Sequence, residues 1–174
     1  MCRFSCDNTE MDKYTSLITY HPIGTIHSPF HDLSSMPIQP ASESSAPGSI
    51  ELLNELAPGL LDLAGFSHII LIYHLHRSHH MTLTVTPFLD SKTHGVFSTR
   101  APNRPNPIGL SVVKLVNIEG NILNVENLDI LDGTPLLDIK PYVPEFDSPT
   151  EFRLGWLDSV RGKVRNTRSD KRFE

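Results

Sequence analysis

Cysteine is almost missing from this chain, which carries only Cys2 and Cys6. One possible pair makes no disulfide framework. Their spacing resembles the start of a radical-type iron–sulfur motif, but the third cysteine such a cluster requires is not there. Two free thiols on a terminal segment are the expectation. Long apolar runs are missing as well. Nothing approaches the roughly 18 residues of a membrane helix, and the opening MCRFSCDNTEMDKYTS has no apolar centre of a secretory signal. A cytoplasmic protein with no membrane contact is expected. Three catalytic signatures are missing too. Without GxGxxG or alternating βαβ units, a doubly wound nucleotide fold is disfavoured. Without HExxH, His74, His76, His79, His80 and His94 read as ordinary exposed or core-bonded histidines, and no metal is expected. Without GxSxG, Ser98 and Ser111 read as turn hydroxyls rather than nucleophiles.

What is present suffices for one core: 174 residues, 39% of them hydrophobic. The expected division is a flexible tail over 1–19, one domain over 20–160 and a basic tail over 161–174. Net charge is −5, so the chain as a whole is no general polyanion binder. Charge is uneven, however. Arg161, Lys163, Arg165, Arg168, Lys171 and Arg172 crowd the end and are candidates for phosphate contact.

Short β-branched and alternating runs punctuated by Gly, Pro and Asn predict a mostly β protein, a sandwich or small barrel with short helices and long loops. The predicted strands are Ile23–His27, His68–Leu75 (buried on both faces), Thr82–Pro87, Leu110–Ile118, Ile122–Asn127 and Leu136–Lys140. Glu119-Gly120-Asn121 marks the clearest hairpin. Ser49–Glu51 opens an element that reads as either strand or helix, and Pro58-Gly59 stops any helix behind it. Residues 32–48 have no period, and a loop of that length is functional or disordered.

The chain is organised around GVFSTRAPNRPNPIGLS, Gly95 to Ser111. Pro102, Pro105 and Pro107 fix their own φ and push Ala101, Arg104 and Asn106 toward extended backbone. Neither a helix nor a central strand is expected there. A stiff loop is, and its preset shape lowers the ordering cost of binding. It presents Arg100 and Arg104, two guanidinium forks suited to carboxylate or phosphate.

GVFSTRAPNRPNPIGLSVVKL, followed by LDILDGTPLLDIKPYVPEFD (Leu128 to Asp147), resembles the TsaA-like family, also called TrmO. PIGTIHSPF, PIQP (Pro37–Pro40) and GFSHIILIYHLHR extend the resemblance from about Pro22 to Trp156. It implies a YaeB-like β-barrel working as a homodimer. The implied activity is S-adenosylmethionine (SAM)-dependent methylation of N6 in the threonylcarbamoyladenosine beside the tRNA anticodon. It places cofactor contacts on Pro37, Ile38, Gln39, His76, Arg77, Arg100, Leu110, Leu131, Asp132, Gly133 and Thr134. Ile38 stands where the family commonly has arginine, which removes one polar contact.

Methyl transfer from a sulfonium is an in-line displacement that depends on alignment more than on acid–base machinery. The modified base carries a carboxylate, so its site calls for an unpaired cation. Arg104 and Lys140 are the candidates, and Asp138 is the candidate proton acceptor, with pairing to Lys140 as its alternative role. Longer members of the family carry a further domain. The runner-up functions are therefore methylation of another small molecule, or a barrel that binds SAM or RNA without catalysis.

Overall fold

The computed structural model describes residues 18–32 and 46–160. Six strands close into one antiparallel barrel in the order β1, β2, β7, β6, β3, β8. They are β1 (Gly24–His27), β2 (Gly48–Leu52), β3 (His68–His74), β6 (Ile108–Glu119), β7 (Ile122–Glu126) and β8 (Thr134–Pro141). A second, two-stranded sheet pairs β4 (Thr84–Val85) with β5 (His94–Gly95). The one short α-helix among the described residues, α1, is Pro144–Asp147. No described helix is long and apolar enough to cross a membrane.

Strand alternation sets the core. Ile26, Ile50, Ile69, Leu71, Val113, Leu123, Val125 and Leu136 point inward and are essentially inaccessible. Each such side chain contributes about 1.5–3 kcal/mol on burial. Expectation and structure differ in four places. His68–His74 buries only alternate residues, because its outer face is half covered rather than packed against a second layer. Thr82–Pro87 contributes only Thr84 and Val85 to a ladder. The second element is the strand of its two allowed readings, but Pro58-Gly59 does not stop the helix behind it: a 3-10 segment runs through both, Asn54–Leu60, and a second follows at Leu63–Gly65.

The fourth difference concerns the proline-rich stretch. Its ends are regular: His94–Gly95 is a strand, Val96–Ser98 a 3-10 turn, and Ile108 opens β6. β6 pairs with β3 over Ile108–Lys114 but with β7 only from Lys114 on, so Ile108–Ser111 is regular strand with one paired neighbour rather than loop. Pro107 does not prevent this, because it sits one residue before the ladder and its missing N–H is never called on.

The expected hairpin forms across Gly120 at φ 65°. Cys2, Cys6 and the basic residues from Arg161 onward lie outside the described residues.

Candidate functional site

In a barrel whose neighbours are all antiparallel, strand direction decides which loops share a rim. β1, β3 and β7 end at one rim, and β2, β6 and β8 begin there. The connections from β1 to β2, from β3 to β6 and from β7 to β8 therefore leave and return at the same end. These carry Pro37–Gln39, then His76, Arg77, Arg100 and Arg104, then Leu131–Thr134. Pro37, Ile38 and Gln39 lie outside the described residues. Leu110 stands just inside β6, exposed on its outer face beside Ile108.

The turn before β8 is stitched to the end of β1. Asp132 N–H donates to Phe30 O at 2.7 Å, and Gly133 N–H, at φ 73°, donates to Ile26 O at 2.9 Å. Asp132 Oδ1 accepts from the Ser28 N–H at 3.0 Å, and Ser28 Oγ donates to Ile130 O at 2.6 Å. His31 Nδ1 lies 3.3 Å and His27 Nδ1 3.6 Å from the same carboxylate. The Ser28 hydrogen bond, helped by the two histidines, holds the Asp132 carboxyl below its ordinary range. Asp132 is therefore an anion at neutral pH and also the clip that shapes the turn.

His76 follows β3 and meets the turn from the other side. Its Nδ1 is 3.3 Å from Thr134 Oγ1, and that hydroxyl donates to Leu131 O at 2.7 Å. With the hydroxyl proton so used, His76 carries its proton on Nδ1 and offers Nε2 as an acceptor. Burial, then the neighbouring Arg77, pushes this imidazole below its usual range. At neutral pH it is uncharged.

Arg104 does not reach outward with its whole fork. Its Nη1 donates to the carbonyls of Val96 (3.2 Å), Thr99 (2.9 Å) and Ala101 (3.4 Å), and the guanidinium lies 5.8 Å from the Phe97 ring centre. Three prolines remove three N–H donors from this loop, and Arg104 supplies donors in their place. Around it Val85, Val96 and Ala101 form a small second core. The later segment Gly155–Val160 docks here as well. Trp156 stacks on His94 with ring centres 4.6 Å apart and donates to Ser98 O at 2.9 Å. His94 in turn holds Asp90 at 3.0 Å.

Lys140 is not the unpaired cation that the sequence reading asked for. Its ammonium is 2.8 Å from Asp138, and both stand on the wall of β8 beyond the rim residue Thr134. Strand neighbours two apart share a face, so this pairing follows from spacing alone. By contrast, Arg77 and Arg100 are exposed and make no ion pair or hydrogen bond among the described residues.

The sequence reading missed Tyr73 and Asp129 and took Ser111 for a turn hydroxyl, whereas Ser111 is buried inside β6 and donates to Asp129 Oδ1 at 2.7 Å. One signal was available. Gly109, Ser111, Val113 and Leu115 occupy one face of β6, so Ser111 was due to point into the core and to require a polar partner.

These features define a class: a single-sheet closed barrel whose long connections build one loop-lined site. The chain belongs to the tRNA-methyltransferase O N-terminal domain family, whose model matches residues 25–148. It is 54% identical over 157 residues to a probable S-adenosyl-L-methionine-binding protein of Pyrococcus abyssi, covering 90% of this chain and 85% of that one. It is 37% identical over 140 residues to a mouse tRNA (adenine(37)-N6)-methyltransferase, covering 76% of this chain but 32% of the relative. The crystal structure of TrmO from Pseudomonas aeruginosa superposes with a TM-score of 0.69 at 38% identity, over 81% of this chain and 63% of that one. The chain thus spans about a third of the mammalian relative's length.

Proposed function

We propose that this protein binds SAM at the loop-lined rim and methylates N6 of the threonylcarbamoyladenosine at tRNA position 37. The observation that carries the reading is the convergence of Asp132, Thr134, His76 and Arg100 from two connections onto one rim, in a chain of this family. Bound there, SAM would supply an electrophilic methyl group. The chain's part is to hold and align. The anionic Asp132 suits ribose hydroxyls or the cofactor's ammonium group, and the neutral His76 offers a lone pair to an N–H donor. Exposed Ile108 and Leu110 offer apolar contact beside them. Arg77 and Arg100, free of partners among the described residues, suit the substrate carboxylate better than Arg104 or Lys140. The methylated nitrogen gives its proton to water after transfer, since Asp138 is paired with Lys140 at 2.8 Å on the β8 wall.

Nucleoside mass spectrometry of tRNA from cells with and without the protein tests the reading. Loss of the methylated threonylcarbamoyladenosine on deletion is expected, and an unchanged nucleoside profile contradicts it. A barrel that binds SAM without methylating tRNA is the second reading, favoured by the name of the Pyrococcus relative and by the short span relative to the mammalian enzyme.

The proposal includes a cytoplasmic location, tRNA as partner, phosphate contact by the basic residues after position 160, and a homodimer. Exposed Ile108 and Leu110 beside the site are suited to a partner subunit. Light scattering at tens of micromolar should give twice the 19.5 kDa chain mass. A monomer at that concentration would rule out a shared site.

A further inference from the structure

The connection from β3 to β6 displays an aromatic ring that nothing in the reading above uses. Phe97 is 75% exposed, although Val96 before it is fully buried. The turn that carries it is locked. Arg104 Nη1 donates to Val96 O and Thr99 O on either side of the ring, and the Thr99 N–H closes onto Val96 O at 3.1 Å. Ser98 Oγ donates to Gly95 O at 2.8 Å, and Trp156 Nε1 donates to Ser98 O at 2.9 Å. Such a frame fixes where the ring stands before a ligand arrives, which lowers the ordering cost of binding.

Beside it runs an open groove of about 590 Å³. Thr82, Thr84 and Thr86 line it from alternate positions, together with Ser91 and Asn103. Asp90 lines it as well, engaged by the Ser91 and Lys92 N–H groups and by His94. Asn103 Oδ1 accepts from Ser78 Oγ at 3.0 Å, which leaves Nδ2 as a donor. No lysine or arginine is among the lining residues, so the groove suits a neutral, hydroxyl-bearing group rather than a phosphate. The cations stand outside it, on the exposed Arg77 and Arg100.

Backbone bonds bring these parts together. Val96 N–H donates to Leu83 O at 2.9 Å and Thr84 pairs with Gly95, so the threonine row lies one strand away from the Phe97 turn. Thr82 N–H donates to Asn103 O at 3.2 Å, and the Ser78 that holds Asn103 follows Arg77 directly. An apolar ring, a row of hydroxyls and two cations match the three parts of a nucleotide: base, ribose and phosphate. An apolar protein contact would account for the ring alone. Aromatic faces accept any base by stacking, while basic residues follow the backbone. We propose that this surface holds a single-stranded RNA nucleotide flanking the methylated one, with Phe97 stacked on its base and its ribose in the threonine groove. This rests on the tRNA reading above and names residues that would hold the substrate loop.

The test uses an anticodon stem-loop RNA bearing threonylcarbamoyladenosine at position 37, and the same loop built with 2′-deoxyriboses. Fluorescence anisotropy gives the affinity of each for the wild type, Phe97→Ala, Phe97→Leu, Phe97→Trp and Thr84→Val. Phe97→Ala should bind the RNA about tenfold more weakly, as for loss of one stacked base. Its melting temperature, SAM affinity and assembly mass should match the wild type, because the ring is mostly exposed. Phe97→Leu keeps apolar bulk without a π-face and should lose nearly as much, whereas Phe97→Trp should restore binding. Thr84→Val keeps the shape and removes a hydroxyl, so it should weaken the RNA loop a fewfold and leave the deoxyribose loop unchanged.

Wild-type affinity in Phe97→Ala or in Phe97→Leu would overturn the stacking role. Equal losses on both loops in Thr84→Val would overturn the part given to the groove. A Phe97→Ala protein that falls to half the wild-type assembly mass would make the ring a contact between two copies, which overturns the proposal too. Should Phe97→Ala fail to fold, Phe97→Leu against Phe97→Trp decides the same point. A wild type that binds neither loop overturns the proposed function and this surface together. Binding that no Phe97 variant alters overturns this surface alone.

Discussion

Arg104→Lys is expected to loosen the 94–107 loop as well as to slow methyl transfer. Lysine keeps the charge but loses the planar fork, and one compact ammonium cannot replace Nη1 at the carbonyls of Val96, Thr99 and Ala101 while also covering the Phe97 ring. Val96 O keeps the Thr99 N–H and hydroxyl, but the Thr99 and Ala101 carbonyls lose their donor, each at a cost on the order of 1–3 kcal/mol. A net loss of about 2 kcal/mol lowers the melting temperature of a domain this size by roughly 4–8 °C. Activity should fall about tenfold or more, because Arg100 rides on the same loop. Thermal melting and initial rates check both halves. An unchanged melting temperature with lost activity would return Arg104 to the substrate carboxylate as its main partner.

Asp132→Ala should weaken SAM binding about tenfold or more, a loss near 1.4 kcal/mol, and weaken tRNA binding much less. The substitution removes an anion from the rim and also the acceptor of the Ser28 N–H, so the turn loses its clip to β1. Asp132→Asn retains an acceptor oxygen and should do less harm. Because its folded pKa is depressed, the Asp132 contribution is present above the ordinary carboxyl range and is lost only as pH falls through the lower folded value. It should therefore hold unchanged down to the ordinary carboxyl range. Titrations of SAM and of tRNA into the same variant decide the point. Equal losses for both ligands would make Asp132 a general scaffold residue.

Strand content was legible because alternation is a property of local sequence. The β-branched run His68–Leu75 announces a strand, though not that only Ile69, Leu71 and Tyr73 turn inward, and Glu119-Gly120-Asn121 announces the turn between β6 and β7. Closure was not legible from periodicity, since nothing local states that Ile26 will face Thr134 across the seam between β1 and β8. The resemblance to a barrel family supplied that. The stiffness of the proline-rich loop was readable, but the direction of Arg104 was not. It depends on how many carbonyls the loop leaves without donors once it has folded. The Asp138–Lys140 pair is readable from its spacing, two apart on one strand. Asp129 escaped notice because its partners, Ser111 and Tyr73, come from two other strands, and only barrel closure brings them to it.

The central claim is that the 174-residue chain, spanning about a third of the mammalian relative, is sufficient to transfer a methyl group. The direct measurement incubates the purified protein with methyl-labelled SAM and tRNA bearing threonylcarbamoyladenosine, alongside the same tRNA carrying plain adenosine at position 37. The account predicts label at N6 of the modified base and none in the control. Equal label in both tRNAs, or none in either despite SAM binding, would contradict it.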